Sequence, residues 1–476
     1  MNADNRGERI RLGVAESSGE PFQFPISSLG HLHCRGMSGS GKTSLTLIPL
    51  AAQLIRFGYP TFIIDLGGDI SMFHNLKRVT EREAAATRSK RGFRAVMLDP
   101  LLSSHCFPPF QRVAGVPLSI TEVSQRLLRG FNLDFGAAQH GPTYYAAQAL
   151  AAILSVSQKV FAVNPDASLA EVDHFLNLPS NKREFRDADS IRMSIRFLLQ
   201  YPQFSTHEDP EQNVQIERAI TEREVCYFFF PSLDDPVVSP LAGGLVLATI
   251  IYVASVLFKL GKPLPPTYIV VDEFSEIVGR SLAALLAQGR KYGLRFILAN
   301  QSTSQLENRD TKLSDALFEG TTVKQYFTCV GDEDTKVLQS VSKDKVRSLG
   351  GTTVSGLSTS VSFKEYISPA LDRDEILRVS ATQGLSFVLL NDGRGHHEPY
   401  VVKQTHGEFP DLSGMPMPLR SAESRPQVSP PVSAISEQRA SEPSRKPSIN
   451  TELDRRIAAL IAVKQAAERW EIVGGK

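Results

Sequence analysis

A mostly parallel β-sheet covered by helices on both faces is the fold this sequence predicts, and three observations predict it. Short, continuously apolar runs alternate with longer helical stretches along most of the chain. Residues 36–43 read Gly-Met-Ser-Gly-Ser-Gly-Lys-Thr, a loop of the kind that joins a strand to a helix around a polyphosphate. Tyr268-Ile-Val-Val-Asp-Glu273 reads as a buried strand that ends in two acids.

Composition sets the frame. The chain has 476 residues, 42% apolar and 22% charged, enough for one large domain with insertions or two to three ordinary ones. A formal net charge of +1 gives no strong global field, so any nucleic-acid contact has to come from a local patch. Cys34, Cys106, Cys226 and Cys329 lie far apart without a C-x-x-C. That spacing argues against metal or disulfide roles and suits a reducing cytoplasm. The opening Met-Asn-Ala-Asp-Asn-Arg is polar and does not read as a signal peptide.

Taken in order, residues 1–30 form a short β leader, because residues 8–28 alternate brief apolar runs with Gly and Pro. The first part of the core is expected over 31–164. In it, Thr43–Arg56 is the helix opened by the glycine loop, and Pro60–Asp65 and Phe93–Asp99 are strands. Lys77–Arg94 carries seven basic residues, a possible phosphate-facing surface or simply a solvated face. Residues 165–213 show helical stretches at Ala167–Leu178 and Lys182–Pro202 and no strand, which predicts a small all-α insertion. The second part of the core, 214–408, has strands at Val225–Phe230, Thr267–Asp272, Arg295–Ala299, Thr322–Thr328 and Gly384–Leu390.

Val237–Phe258 runs 22 residues without a charge, long enough to span a bilayer. Pro240, the Gly243-Gly244 pair and the strand that follows favour a helix buried in the α/β core instead. Residues 409–450 turn to Pro and Ser, as a disordered linker does. Residues 451–476 recover helical periodicity, with Leu453, Ile457, Leu460 and Ile461 on one face and a capping-box-like Thr451-x-x-Asp454. Such a helix folds back on the core or docks on a partner.

The chemistry lies in two constellations. Gly36, Gly39 and Gly41 permit the backbone angles and close approach that let amides of Met37, Ser38, Ser40 and Ser44 face phosphate oxygens. Lys42 is placed for the β- and γ-phosphates of ATP, and Thr43 for Mg²⁺. In the second, Asp272 is the expected magnesium partner and Glu273 the general base for water, although two acids would also favour the start of a following helix. Gln301, just past the next strand, falls at the sheet edge where ligands bind and could sense the γ-phosphate. Arg290 and Lys291 end the intervening helix, a place the helix dipole favours; an arginine there could equally reach a neighbouring subunit's nucleotide.

These motifs, with Phe62-Ile-Ile-Asp-Leu-Gly-Gly-Asp69 and Gly289-Arg-Lys-Tyr-Gly-Leu-Arg-Phe-Ile-Leu-Ala-Asn-Gln301, resemble the HerA/FtsK superfamily. Within it the nearest resemblance is to TraG/TraD-type conjugative coupling ATPases of type IV secretion. His31 resembles the histidine that often opens their phosphate-loop strand, and Phe107-Pro-Pro-Phe110 their proline segment. The resemblance covers residues 10–405, and the helical insertion sits where those proteins carry an all-α domain. It implies a RecA-like P-loop NTPase, a homo-hexameric ring with ATP sites between subunits, and single- or double-stranded DNA moved through a channel. A relaxase or secretion-channel partner would bind the C-terminal helix, and the protein would be cytoplasmic, peripheral to the inner membrane through a partner. Two departures stand out: Asp65-Leu-Gly-Gly-Asp69 replaces D-P-K-G-D, losing a basic contact, and the sequence opens without the transmembrane helices of anchored members. A nucleotide-gated recruitment scaffold and a HerA-like helicase in DNA repair or phage defence fit the same motifs.

Overall fold

Strands that are buried on both faces need no alternation of polar and apolar residues, and Thr61–Asp65, Val225–Phe229 and Thr267–Asp272 have none. The computed structural model describes residues 7–420, apart from 89–90, 118, 132–143, 186–187, 278–281, 303–304, 307–312, 329–334, 337, 340–343, 356–357, 370 and 391–398. The strands are β1 Arg9–Ala15, β2 Pro21–Pro25, β3 Leu32–Arg35, β4 Thr61–Asp65, β5 Phe93–Met97, β6 Val225–Phe229, β7 Thr267–Asp272, β8 Leu294–Asn300, β9 Val323–Tyr326, β10 Asp344–Ser355, β11 Ser358–Pro369, β12 Leu385–Leu390 and β13 Tyr400–Lys403. Every residue of β3, β4, β6 and β7 is buried.

Eleven strands form one sheet in the order β2-β1-β13-β12-β9-β3-β8-β7-β4-β6-β5. From β9 to β5 neighbouring strands are parallel. From β9 back to β2 they are antiparallel. The register pairs Asp65 with Asp272 and Arg35 with Asn300, so the ends of β4, β7, β3 and β8 share one carboxyl edge. Such an edge is where ligands bind in open α/β sheets.

Alternate residues of the central parallel strands feed cores on the two faces of the sheet. Ile63, Tyr227 and Val270 pack with helix α1 (Ile48–Arg56) and helix α2 (Ile70–Thr87). Phe62, Ile64 and Phe228 pack on the opposite face, in a core that continues into the helical insertion through Leu169, Leu176 and Ile195. The insertion comprises α3 Ile120–Gly130, α4 Tyr144–Val163, α5 Leu169–Asn177, α6 Pro179–Glu184 and α7 Asp189–Leu199. The helical run between β5 and β6 therefore opens at Ile120, well ahead of residue 165. A short helix α8, Ile216–Thr221, leads into β6.

The long apolar stretch is a buried helix. α9, Val238–Lys259, has the length and apolarity to cross a membrane, yet 83% of its most apolar window is buried. The glycine pair explains how it seats. A Cβ on Gly244 would stand 2.5 Å from the Gly130 carbonyl oxygen, and one on Gly130 would stand 2.9 Å from Leu245 Cα. Only glycine lets the backbones of α3 and α9 approach so closely.

Three features differ from the sequence expectation. The helix after the glycine loop does not start as an α-helix: Lys42–Leu47 winds as a π-helix before α1. Pro49 has no N–H to return to the preceding turn, which disfavours a regular i→i−4 ladder there. The long hairpin β10–β11 forms a separate two-stranded sheet in a segment so rich in Ser, Thr and Gly that no strand is evident from composition. Residues 409–420 belong to the folded body rather than to a free linker: Phe409 is buried, and Leu419 bridges to Leu102. Residues 421–450 and the expected helix at 451–476 lie outside the described residues.

Candidate functional site

β3 delivers the chain to the carboxyl edge at Arg35, and the next residues turn back on themselves. A Cβ at Gly36 would lie 2.5 Å from Ser40 Oγ and 2.8 Å from Phe327 Cβ. Gly41 holds a left-handed φ of 99°, which starts the helix that follows. Among the described residues no side chain caps that start. Its leading amides and positive dipole end are thus suited to an anion. Lys42 is buried at the base of the loop, with Nζ donating to the Gly36 carbonyl at 2.7 Å.

β7 runs two strands away and brings its acids to the same place. The Thr43 hydroxyl donates to Asp272 Oδ2 at 2.7 Å. Asp272 is only 3% exposed, and burial raises its carboxyl pKa against the opposing pull of the Thr43 hydroxyl and the Lys42 charge. A hydroxyl and a buried carboxylate are hard oxygen donors of the kind Mg²⁺ takes, so the pair fits that ion.

Glu273 sits where β7 breaks into a short 3₁₀ turn, and it does so with a left-handed φ of 52°. Such a conformation costs a non-glycine residue about 1–3 kcal/mol and concentrates at functional sites. Its N–H donates to Asp272 Oδ1 at 3.0 Å, and Oε1 lies 3.8 Å from Lys42 Nζ. Gln301 Nε2 donates to the same Oε1 at 3.1 Å. Burial, then the charge of Asp272, raises the Glu273 carboxyl above its ordinary range, as suits a base.

Lys42, Thr43, Asp272, Glu273 and Gln301 therefore converge, and all but Gln301 line a cleft of about 650 Å³ together with Ser38, Gly39, Gly41 and Ser44. Arg290 does not join them. It ends helix α10 (Leu282–Lys291) beside Gly30, at the amino edge of the sheet, with its guanidinium carbon 3.5 Å from where a Gly30 Cβ would be. That is the opposite edge from the cleft. His31 serves the fold. Its Nδ1 accepts from the Phe296 N–H at 2.9 Å and its Nε2 donates to the Leu286 carbonyl at 2.9 Å, so the ring is neutral and ties β3 to β8 and α10.

Three residues of the basic run are used internally. Arg94 pairs with Glu211 and Glu224, Arg91 donates to the Ile55 and Tyr59 carbonyls, and Arg78 donates to the Glu408 carbonyl.

Three parts of the site had no role assigned to them from the motifs. Asp65 accepts from the Tyr227 hydroxyl at 2.6 Å, the Gly68 N–H at 2.7 Å and the Asp69 N–H at 2.9 Å. It thereby holds the Gly67-Gly68 turn beside Asp272; a Cβ on Gly67 would lie 3.4 Å from Asp272 Oδ2. Burial, with help from Asp272, pushes the Asp65 carboxyl up to about 7. Asn300 joins His33 Nε2 at 2.7 Å to the loop beyond β8, donating to the Ser302 carbonyl at 2.8 Å. His406 and residues 409–411 line the cleft from the far end of the chain. The acid at the end of β4 was the readable signal for Asp65; nothing local marks His406 or Asp411.

A family model described as the TraM recognition site of TraD and TraG matches residues 266–380. No curated protein matches the chain. Among solved structures, the bacterial conjugative coupling protein TrwBdeltaN70 in an unbound monoclinic form is similar at 18% identity and a TM-score of 0.60, over 86% of this chain and 92% of that one. The plasmid coupling protein TrwB in complex with ADP and Mg²⁺ is similar at 16% identity and a TM-score of 0.57, over 86% and 92%. The same protein with the non-hydrolysable ATP analogue ADPNP gives 17% identity and a TM-score of 0.55, over 85% and 91%. This chain shares its fold with these coupling-protein structures.

Proposed function

We propose that this chain is an ATP-driven DNA translocase of the coupling-protein kind, working as a homo-hexameric ring that hands DNA or nucleoprotein to a type IV secretion machinery. The observation that carries the reading is the Thr43–Asp272 pair at 2.7 Å with Lys42, Glu273 and Gln301 beside it. The likeness to TrwB, solved with ADP and Mg²⁺ and with ADPNP, supports the same ligands here.

In this reading the amides of the Gly36–Thr43 loop bind the polyphosphate, and Lys42 exchanges the Gly36 carbonyl for phosphate oxygens. Held by Thr43 and Asp272, Mg²⁺ would neutralise charge on the β- and γ-phosphate oxygens. Glu273 takes a proton from the attacking water, and Gln301 holds the Glu273 carboxylate in place. The water oxygen bonds to the γ-phosphorus as the bond to the β-bridging oxygen breaks, leaving ADP and phosphate. Arg290, on the far edge of its own sheet, would complete the site of a neighbouring subunit as an arginine finger. The ring would work at the cytoplasmic side of the inner membrane, linked to it by a partner, and the segment 451–476 would dock a relaxase or a channel component.

The test is ATP turnover by the purified full chain with and without single- and double-stranded DNA. DNA should stimulate turnover, Lys42→Ala should abolish it, and equal rates with and without DNA would refute the motor. A second reading, a nucleotide-gated recruitment scaffold, draws on the match of residues 266–380 to a partner-recognition model. It predicts ATP turnover that DNA leaves unchanged, and partner binding that exchanging exposed side chains within 266–380 abolishes while removal of 421–476 spares it.

A further inference from the structure

A phosphate loop accounts for only one end of the cleft. The other end is walled by Gln383, His406, Phe409, Pro410, Asp411 and Ser413. A volume of about 650 Å³ is in the range of sites that enclose a whole small ligand rather than a phosphate alone. We infer that the strap at residues 404–413 is the nucleoside wall of the site, selecting a ribonucleoside triphosphate over bare polyphosphate; the inference rests on the nucleotide reading of the cleft.

The strap is built into place from behind. The Pro410 carbonyl accepts from Asn75 Nδ2 at 3.0 Å and Ser71 Oγ at 3.3 Å, and the Leu412 N–H donates to Ser71 Oγ at 3.0 Å. Asn75 is wholly buried, and so is the Phe409 ring for all but 7% of its surface. The Arg56 guanidinium lies 5.7 Å from the centroid of that ring and pairs with Glu408 at 2.5 Å. These contacts use the strap's backbone, Phe409 and Glu408. The side chains of His406 and Asp411 are exposed along the cleft.

The root of the strap is tied to the phosphate end. Thr46, in the first turns after the glycine loop, donates to Gln325 Oε1 at 3.0 Å. Gln325 Nε2 donates to Ser386 Oγ at 3.0 Å, and the Gln404 amide lies 2.7 Å from that same oxygen. Gln325 and Ser386 are wholly buried and Gln404 nearly so. A fully bonded buried chain of this kind fixes distances between the elements it joins. It sets how far the wall stands from the loop, which is what discrimination by ligand length requires.

The chemistry of the wall suits a nucleoside. Asp411 keeps its backbone turn by accepting from the Ser413 N–H at 2.9 Å, and its remaining carboxylate oxygen can accept from ribose hydroxyls. The His406 imidazole and Gln383 amide each offer a donor and an acceptor for the edge of a base.

The experiment measures dissociation constants of Mg²⁺-ATP and Mg²⁺-tripolyphosphate on the full chain. The unsubstituted protein is expected to bind ATP at least about tenfold tighter than tripolyphosphate. The triple variant Gln383→Ala, His406→Ala, Asp411→Ala should bring ATP to within about threefold of tripolyphosphate and leave tripolyphosphate unchanged. Asp411→Asn, which retains an oxygen for Ser413, should alone weaken ATP by about threefold and guards against a triple variant that fails to fold. Full ATP preference in both variants overturns the nucleoside wall while the phosphate-loop reading stands. An equal loss of both ligands in both variants overturns it too, because the strap would then act only through the loop. Lys42→Ala should weaken both ligands, and failure of either to bind the unsubstituted protein overturns the phosphate-loop reading along with the wall.

Discussion

Thr43→Val removes one oxygen and keeps the shape of the side chain. In the structure that oxygen donates to Asp272 Oδ2 at 2.7 Å, and Asp272 is 3% exposed. A hydrogen bond to a buried charge contributes about 1.5–3 kcal/mol, and its loss leaves the carboxylate with the Glu273 N–H and the Lys42 charge. No cavity forms, so the whole deficit, about 2 kcal/mol, is electrostatic. It should appear as reduced stability to urea without nucleotide. The Thr43 bond lowers the Asp272 carboxyl, so the variant raises it further above the unfolded value. The deficit is therefore full while Asp272 is ionised and shrinks as the pH falls through its titration. With ATP present the same substitution removes a magnesium ligand, and turnover should fall by about 10²-fold or more while the Mg²⁺ needed for half-activity rises. Thr43→Ser keeps the hydroxyl and should restore most of both. Unchanged turnover and Mg²⁺ dependence in the valine variant, or equal loss in the serine variant, would refute the reasoning.

Glu273→Gln should cut phosphate release about 10²–10⁴-fold while ATP affinity stays within a few-fold, and near-normal release would exclude Glu273 as the base. Arg290→Ala should lose turnover alone yet recover part of it when mixed with Lys42→Ala, since each variant can lend the other an intact half-site; no recovery in mixed oligomers would place Arg290 outside the chemistry. Burial holds His31 down to about 4 and His33 to about 3, so both are neutral when folded. Their contribution is complete above pH 6.5 and lost as the pH falls, by up to ~3 kcal/mol for His31 between 6.5 and about 4 at roughly 1.4 kcal/mol per pH unit. Unfolding at pH 7 and pH 4.5 should show the drop, and His31→Gln should flatten it; an unchanged slope would mean that other groups govern it.

Sequence legibility followed the strength of the local signal. β4, β6, β7 and β8 were readable because strands buried on both faces are continuous apolar runs. Lys42, Thr43, Asp272 and Glu273 were readable because the loop and the acid pair each fix a spacing within a few residues. Gln301 followed from its position past a strand. The β10–β11 hairpin was not legible, since its pairing is set across two Ser- and Thr-rich strands rather than by an apolar run. The docking of Phe409 was hidden for a similar reason. Asn75 and Ser71, which hold the strap, lie more than three hundred residues earlier, and no local pattern encodes so distant a partner. Asp65 lay between these cases: its residue type was visible, but its bond to Tyr227 depends on β4 and β6 being neighbours.

The glycine-lined contact between α3 and α9 also bears on the order in which the chain is made. α9 carries a mean hydropathy of 2.3 in its most apolar window, enough for a nascent segment to be taken for a membrane span. Part of the groove that receives it is synthesised first, since Gly130, Ile64 and Leu66 precede it, while Ile277, which meets Gly243, and Tyr292, whose ring lies 5.5 Å from that of Phe258, come later. α9 therefore leaves the ribosome with one side of its seat already made and the other, from Phe274, Ile277 and Phe296, still to come. Filling that seat, for example with a side chain at Gly130, would leave α9 exposed at the moment when a bilayer is its nearest competitor.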